Sequence, residues 1–243
     1  MFKRGSGPLV SVLLPTRSRS KWLCEAIDSV YSLAKDKSNV EFLLKIDEDD
    51  NDTIATAEWL SKVLPVKKLI SPRGKGYFDI HHWINSLSSM ASGDWLFLFN
   101  DDARMQTQDW DQILLNAEVN SNTWHGIDDI CLLVAPTTRR PGCNEFMFIR
   151  RKIFEILGRL GTSQHVDNWM YSMMSFIQSA FHTNIFIEHF SEKAEDEVRK
   201  SSEEAYKTTI QTLNSNSGVK IRIQDALRLV EYIEIEMLKK GNK

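Results

Sequence analysis

An alternation in the first hundred residues constrains the fold more than any other feature. Short apolar runs at 9–14, 40–46, 66–70 and 95–99 take turns with segments in which apolar residues recur every three to four positions. The runs are too short for core helices and apolar enough to be buried strands. Between the first two, residues 20–33 carry Trp22, Leu23, Ala26, Ile27, Val30 and Leu33 at helical spacing, with Ser20 as N-cap. Residues 53–64 and 80–90 read as two further helices, the second ended by Gly93. Apolar strands alternating with amphipathic helices predict an α/β fold, a mostly parallel Rossmann-like sheet with helices on both faces. Such a sheet binds ligands beyond the carboxyl ends of its strands. Three of the predicted ends are polar or charged: Thr16-Arg17, the acidic run 47–52, and Asn100-Asp101-Asp102.

The second half is less regular. Strands are expected at 130–135, 145–149 and 184–190, and helices at 151–157, closed by Gly158, and 166–180. From 191 the composition turns strongly charged. A charged helix over 191–213, a turn at 214–218 and a helix over 223–240 follow, the last with Ala226, Leu227, Val230, Ile233 and Met237 on one face. The expected division is an α/β domain over 1–190 and a C-terminal helical hairpin over 191–243. The apolar stripe of that hairpin needs a partner surface, either on the same chain or on a second copy in a homodimer.

Composition narrows the function. Lys plus Arg number 30 against 33 Asp plus Glu, a net charge of -3, which lacks the basic footprint of a nucleic-acid binder. No apolar stretch approaches the ~18 residues of a transmembrane segment, and the N-terminus lacks a signal peptide's apolar region. Cys24, Cys131 and Cys143 form neither a disulfide framework nor a zinc site. A reducing, cytoplasmic setting is the expectation. His81, His82, His125, His165 and His182 show no ligand spacing, and no nucleophile elbow, HExxH or Walker loop is present.

Candidate chemistry sits at the strand ends. Asn100, Asp101 and Asp102 offer hard oxygen ligands for Mg²⁺ or Mn²⁺, or else form a solvated turn. Asp47 is placed to accept from a ribose or a base, while 48–52 read mostly as solvent-facing. Arg17, with Arg73 and Lys75 among glycines, can cradle a diphosphate. Asp167 is either a general base or an acid at a helix start. His189 is either ligating or structural.

These segments, in this order, resemble the GT-A-fold glycosyltransferases of the large family 2. The opening Val10-Ser11-Val12-Leu13-Leu14-Pro15-Thr16-Arg17 is similar to the family's first strand and nucleotide loop, and Glu25-Ala26-Ile27-Asp28-Ser29-Val30 to the helix after it. Ile46-Asp47-Glu48-Asp49-Asp50 stands where the family has a nucleoside-contacting acid. Gly76, Asn85 and Ala91-Ser92-Gly93-Asp94-Trp95 resemble the segment before the metal strand, and Asn100-Asp101-Asp102 matches the DxD position. Residues 142–151 are similar to the acceptor-side strand and helix, Val166-Asp167-Asn168-Trp169 to the catalytic-base segment, and His189 to a C-terminal histidine near the metal. The resemblance spans about 9–190 and departs from the pattern at Asn100, where the family has Asp.

The resemblance implies transfer of a sugar from a nucleotide donor, a UDP-sugar favoured, to a carbohydrate or other hydroxyl acceptor, with inversion and with Mn²⁺ or Mg²⁺. Pro15, Thr16, Arg17, Asp47, Arg73, Lys75, Asn85 and Asp101 would bind the donor. Asn100, Asp102 and His189 would hold the metal, and Asp167 would be the base. Two rival readings are a nucleotidyltransferase, opposed by the lack of a glycine-rich loop after the first strand, and a non-catalytic nucleotide- or sugar-binding module, suggested by Asn100.

Overall fold

The computed structural model describes residues 7–119, 123–137, 144–190, 205, 207 and 210–241. The expected charged helix over 191–213 therefore lies largely outside the described residues, as does Cys143.

The elements are β1 (Val10–Thr16), α1 (Ser20–Leu33), β2 (Val40–Asp47), α2 (Asn51–Leu60), β3 (Val66–Ser71), α3 (Ile80–Met90), β4 (Trp95–Leu98), β5 (Ala103–Met105), α4 (Trp110–Val119), β6 (Leu132–Ala135), β7 (Phe146–Arg150), α5 (Arg151–Leu157), α6 (Val166–Phe176), β8 (Ala180–His182), β9 (Ile187–His189) and α7 (Asn216–Gly241). The main sheet has seven strands in the order β3-β2-β1-β4-β7-β6-β8. β1 to β4 are mutually parallel where they pair, β7 runs antiparallel to both β4 and β6, and β8 is parallel to β6. β5 and β9 form a separate antiparallel pair.

Strand alternation sends side chains to two cores. Val12, Leu14, Phe42, Leu44, Phe97 and Phe148 face one side, where α1, α2 and α4 supply Ile27, Val30, Leu60 and Trp110. Phe97 and Phe148 stack there with ring centroids 4.0 Å apart. Leu13, Leu43, Leu96, Met147 and Ile149 face the other side, against α3, α5, α6 and α7. The expected α/β sheet with helices on both faces is the one found.

Several local expectations change. α3 stops at Met90, with Ala91 as its C-cap, so Gly93 does not end the helix. Its role is close approach: a Cβ there would come within 2.6 Å of the Ser11 backbone nitrogen. The Gly93 N–H donates to Ser11 Oγ at 2.8 Å, and Ser11 Oγ in turn donates to Glu41. The helix expected to run to 180 stops at Phe176. Gln178 takes a left-handed φ of 54°, and Ala180 begins β8 beside β6. The turn expected at 214–218 is instead the start of α7, where Ser215 Oγ accepts from the Gly218 N–H as an N-cap. β5, α4 and β8 had no counterpart in the sequence reading.

α7 docks within the chain. Ala226, Leu229 and Ile233 are buried beside α5 and α6, whereas Leu227 is 58% exposed. Of the expected stripe, Ala226 and Ile233 face the core, while Leu227 and Met237 face solvent. The buried Asp225 pairs with Arg159 at 2.6 Å. Arg228 caps the C-terminal end of α5 through the carbonyls of Ile156 and Leu157. Among the described residues no helix is long and apolar enough to cross a membrane.

This packing separates two substitutions two residues apart. Leu229→Ala is expected to cost about 2–5 kcal/mol. Leu227→Ala should stay within about 0.5 kcal/mol. Urea melts of both variants decide, and equal losses would mean that α7 does not dock as described.

Candidate active site

β1 pairs with β4 only through Leu13, while its pairing with β2 runs on to Thr16. One edge of β1 is therefore free at Pro15, whose missing N–H is no loss there. β1 lies between β2 and β4, so the sheet order turns at this point and leaves a crevice at the carboxyl ends of β1 and β4. Thr16, Arg17 and Arg19 stand on one lip. Asn100, Asp101 and Asp102 stand on the other, in a turn closed by the Ala103 N–H donating to the Asn100 carbonyl at 3.2 Å.

That turn is not solvated. Asp101 and Asp102 are only 6% and 8% exposed. Thr16 Oγ1 donates to Asp101 at 2.8 Å and Arg19 Nη1 donates at 2.9 Å. Burial raises the Asp101 carboxyl to about 6 and the charge of Asp102 adds to the rise, while Arg19 opposes it. Burial also works against charge on Asp102, but His189 and Arg19 outweigh it and hold that carboxyl below its ordinary value. Arg19 lies 3.7 Å from Asp102.

His189 reaches the site through strand register. β9 pairs with β5 so that His189 lies opposite Ala103, the residue after Asp102. Its Nε2 is 3.2 Å from Asp102 Oδ1, and its Nδ1 is 2.8 Å from Glu145 Oε2. Burial would lower the imidazole, but the two carboxylates lift it to about 9.

Asp47 closes β2 and is buried. Arg17 Nη1 donates to it at 2.7 Å, and Lys45 Nζ donates to its other oxygen. Lys45 precedes Asp47 by two residues, so both side chains share one face of the strand. Its ammonium lies 4.0 Å from the centre of the Trp83 ring, a cation–π contact. Arg17 also binds Asp49 at 2.5 Å, which raises the guanidinium and lowers the Asp49 carboxyl. Glu48, Asp49 and Asp52 are exposed, as expected of the acidic run. Asp50 is the exception: it is buried, caps α2 through the Thr53 N–H, and accepts from the Ser18 N–H at 2.6 Å. Arg73 acts on Asp49 through its charge. Lys75 is exposed, and its N–H donates to Asp79.

Asp167 lies in the first turn of α6, where the N-cap is His165 without a side-chain capping bond. The carboxyl keeps some contact with solvent but is otherwise densely enclosed by protein. Burial lifts it to about 6, the charge of Glu145 adds to the rise, and the N–H groups of Asn168 and Asp167 oppose it. Asn85 uses both ends of its amide on the loop that leads here: Oδ1 accepts from the Leu160 N–H at 2.8 Å, and Nδ2 donates to the Gly161 carbonyl at 3.1 Å. It therefore holds the loop that leads to Asp167.

The structure thus brings together Thr16, Asp101, Asp102 and His189, groups Arg17 with Asp47, and sets Asn85 beneath the Asp167 loop. It adds Arg19, Lys45, Trp83 and Glu145, which the sequence reading missed. Lys45 had a readable signal, a charge inside a strand that is largely apolar.

The donor set suits a hard divalent cation. Asp102 Oδ1 and His189 Nε2 are in direct contact at 3.2 Å, and a carboxylate and an imidazole are both side chains that can ligate such an ion. Among the described residues no group of three or more His, Cys, Asp or Glu side chains gathers around one point.

No family model and no curated protein sequence matches the chain. Solved structures do. A Pyrobaculum calidifontis mannosyltransferase in complex with GDP-Man and Mn²⁺ superposes with a TM-score of 0.56 at 13% identity, covering 96% of this chain and 84% of that one. Glucosyl-3-phosphoglycerate synthase from Mycobacterium tuberculosis, with Mn²⁺, UDP and phosphoglyceric acid, gives 0.59 at 12% identity, covering 86% and 78%. S. aureus TarS 1-349 with UDP-GlcNAc gives 0.56 at 13% identity, covering 89% and 70%. At such identities the likeness concerns the fold, and the fold is GT-A.

The enclosure of Asp167 has a measurable cost. Its folded pKa of about 6 lies above the ordinary 3.8, so the folded state binds this proton more tightly than the unfolded chain does. Its contribution to stability is complete at low pH and is lost as pH rises through that interval. Asp167→Asn is therefore expected to raise Tm at pH 8 and to leave it nearly unchanged near pH 4. Thermal melts at both values test this; equal shifts would mean that the carboxyl is not buried as a charge.

Proposed function

We propose that the protein is a metal-dependent, inverting glycosyltransferase that moves a sugar from a nucleoside diphosphate to an acceptor hydroxyl. The observation that carries the reading is the buried Asp101-Asp102 pair at the β1–β4 crevice, with His189 on Asp102 and a separate enclosed carboxyl at Asp167. The named neighbours bind GDP-Man, UDP or UDP-GlcNAc, some of them with Mn²⁺, which supports a nucleotide-sugar donor. Arg17 and Asp47 would meet the nucleoside side, with Pro15 and Thr16 lining the β1 end and Arg73 and Lys75 above it.

Asp102 and His189, with Asn100 beside them, would hold Mn²⁺ or Mg²⁺. When bound, the ion supplies charge neutralisation to the departing diphosphate. Asp101 does not compete for it, because Thr16 and Arg19 already engage both of its oxygens. Asp167 takes the proton of the acceptor hydroxyl as the acceptor oxygen bonds to the anomeric carbon and the bond from that carbon to the diphosphate breaks. A single displacement of this kind inverts the anomeric centre. A base with a pKa near 6 is ionised at neutral pH and still basic enough to receive a proton in the transition state.

The assay is release of free nucleoside diphosphate from UDP- and GDP-sugars, with Mn²⁺ and a panel of hydroxyl acceptors. Pyrophosphate release would instead mark a nucleotidyltransferase, and binding without turnover a non-catalytic module. Asp102→Asn is expected to abolish Mn²⁺-dependent nucleotide binding in calorimetry with the fold intact; undiminished binding would remove Asp102 from the site. Asp167→Asn should lower kcat about 10²-fold or more with donor affinity nearly unchanged. In the wild type, kcat/KM should rise with pH to a plateau through an apparent pKa near the Asp167 value of about 6. A rate independent of pH across that range would rule out Asp167 as the base.

A further inference from the structure

We propose that Glu145 is the positioning residue of this site, holding the His189 ring so that Nε2 faces Asp102 and the ion. The inference rests on the metal-dependent reading above. Glu145 precedes β7, on the far side of β4 from the nucleotide loop, and nothing in its sequence surroundings singles it out.

The His189 ring is held at three points. Nδ1 lies 2.8 Å from Glu145 Oε2, while Nε2 lies at the longer distance of 3.2 Å from Asp102 Oδ1. The Phe146 ring, the next residue along, meets the imidazole edge to face at 5.2 Å and 85°. The backbone is fixed as well, since the Phe190 N–H donates to the Asp102 carbonyl at 2.8 Å. A carboxylate can only accept, so the hydrogen on Nδ1 stays with Glu145. Nε2 also faces a carboxylate, so an ion on Asp102 would have to displace the Nε2 proton; because Glu145 holds the proton on Nδ1, Nε2 is the nitrogen that can release its own and turn a lone pair to the ion. A carboxylate behind a ligating histidine fixes ring orientation and raises ligand basicity. Asp102 by itself cannot do this, because it holds only the nitrogen that must be released. The Glu145 charge also reaches Asp167, so one carboxylate bears on both the ion side and the base side.

The test uses full-length wild type, Glu145→Ala and Glu145→Gln, with Mn²⁺ and with UDP and GDP as parallel probes. In Glu145→Ala, nucleotide affinity without metal should be unchanged, and the Mn²⁺-dependent gain should fall about 10–100-fold. A residue that merely holds the fold would move both. Glu145→Gln keeps an accepting oxygen without the charge and should recover part of the gain. Independently of any ligand, proton and nitrogen-15 NMR of the metal-free protein should show a downfield, slowly exchanging His189 Nδ1–H that disappears in Glu145→Ala and persists in Glu145→Gln. Wild-type Mn²⁺-dependent affinity in both variants, or an unchanged Nδ1–H resonance in Glu145→Ala, overturns the inference. If the wild type itself binds neither nucleotide more tightly with Mn²⁺, the metal-dependent reading fails, and the NMR comparison still decides whether Glu145 sets the ring.

Discussion

Two adjacent carboxylates at the end of a buried strand are an electrostatic problem that the rest of the site is arranged around. Asp101 and Asp102 leave β4 almost without solvent, and like charges at that distance oppose each other's ionisation. The structure answers with cations from two directions. Arg19 arrives from the β1–α1 loop and binds Asp101. His189 arrives from β9 and binds Asp102. The outcome is asymmetric: the Asp101 carboxyl is pushed up to about 6 and Asp102 is held below its ordinary value. The first carboxylate is tied to Thr16 and Arg19 and serves the architecture. The second keeps its charge through His189 and Arg19.

The same device recurs at the end of β2. Asp47 is buried between Lys45 and Arg17, and Trp83 covers the ammonium. Removing one partner of such a pair would leave a buried charge uncompensated, at a cost of about 3–5 kcal/mol. Each of these strand ends therefore carries a carboxylate fixed by a cation before any ligand arrives.

The sheet was legible because its strands are buried on both faces and its helices are amphipathic, two patterns set by local sequence. The strand ends were legible because polar clusters interrupt apolar runs at Thr16, Asp47 and Asn100. What escaped was decided over long distances in the chain. β5 and β8 are three residues each, too short for periodicity to register; a strand was expected at 184–190, but not its pairing with β5, which carries His189 to Asp102. Arg19 and Glu145 matter only through partners about 80 and 44 positions away, so no local pattern could assign them. Gly93 looked like a helix end because a glycine after a helix often is one, but its close approach to Ser11 appears only once β1 and β4 are paired. The α7 stripe was half right for the same reason: periodicity shows that a helix has an apolar face but not how that face is rotated against α5 and α6.

The two sides of the site rest on different scaffolds. The crevice side hangs on β1, β2 and β4, supported from later in the chain by β7 against β4 and by β9 against β5. The Asp167 side rests on the loop between α5 and α6. Asn85 pins that loop from α3 at Leu160 and Gly161, and α7 pins it from behind through Asp225–Arg159 and the Arg228 cap on α5. Arg222 of α7 also lies over the Trp169 ring, 5.2 Å from its centre and two residues beyond Asp167. The C-terminal helix is therefore structural support for the carboxylate read as the base. Loosening α7 should blur the placement of Asp167 first and leave the Asp102–His189 pair standing, because no contact of that pair runs through the helix. A base must sit within hydrogen-bond reach of the hydroxyl it deprotonates, and small errors in placement are costly to rate. α7 is anchored to the loop between α5 and α6 by the Asp225–Arg159 ion pair as well as by apolar packing.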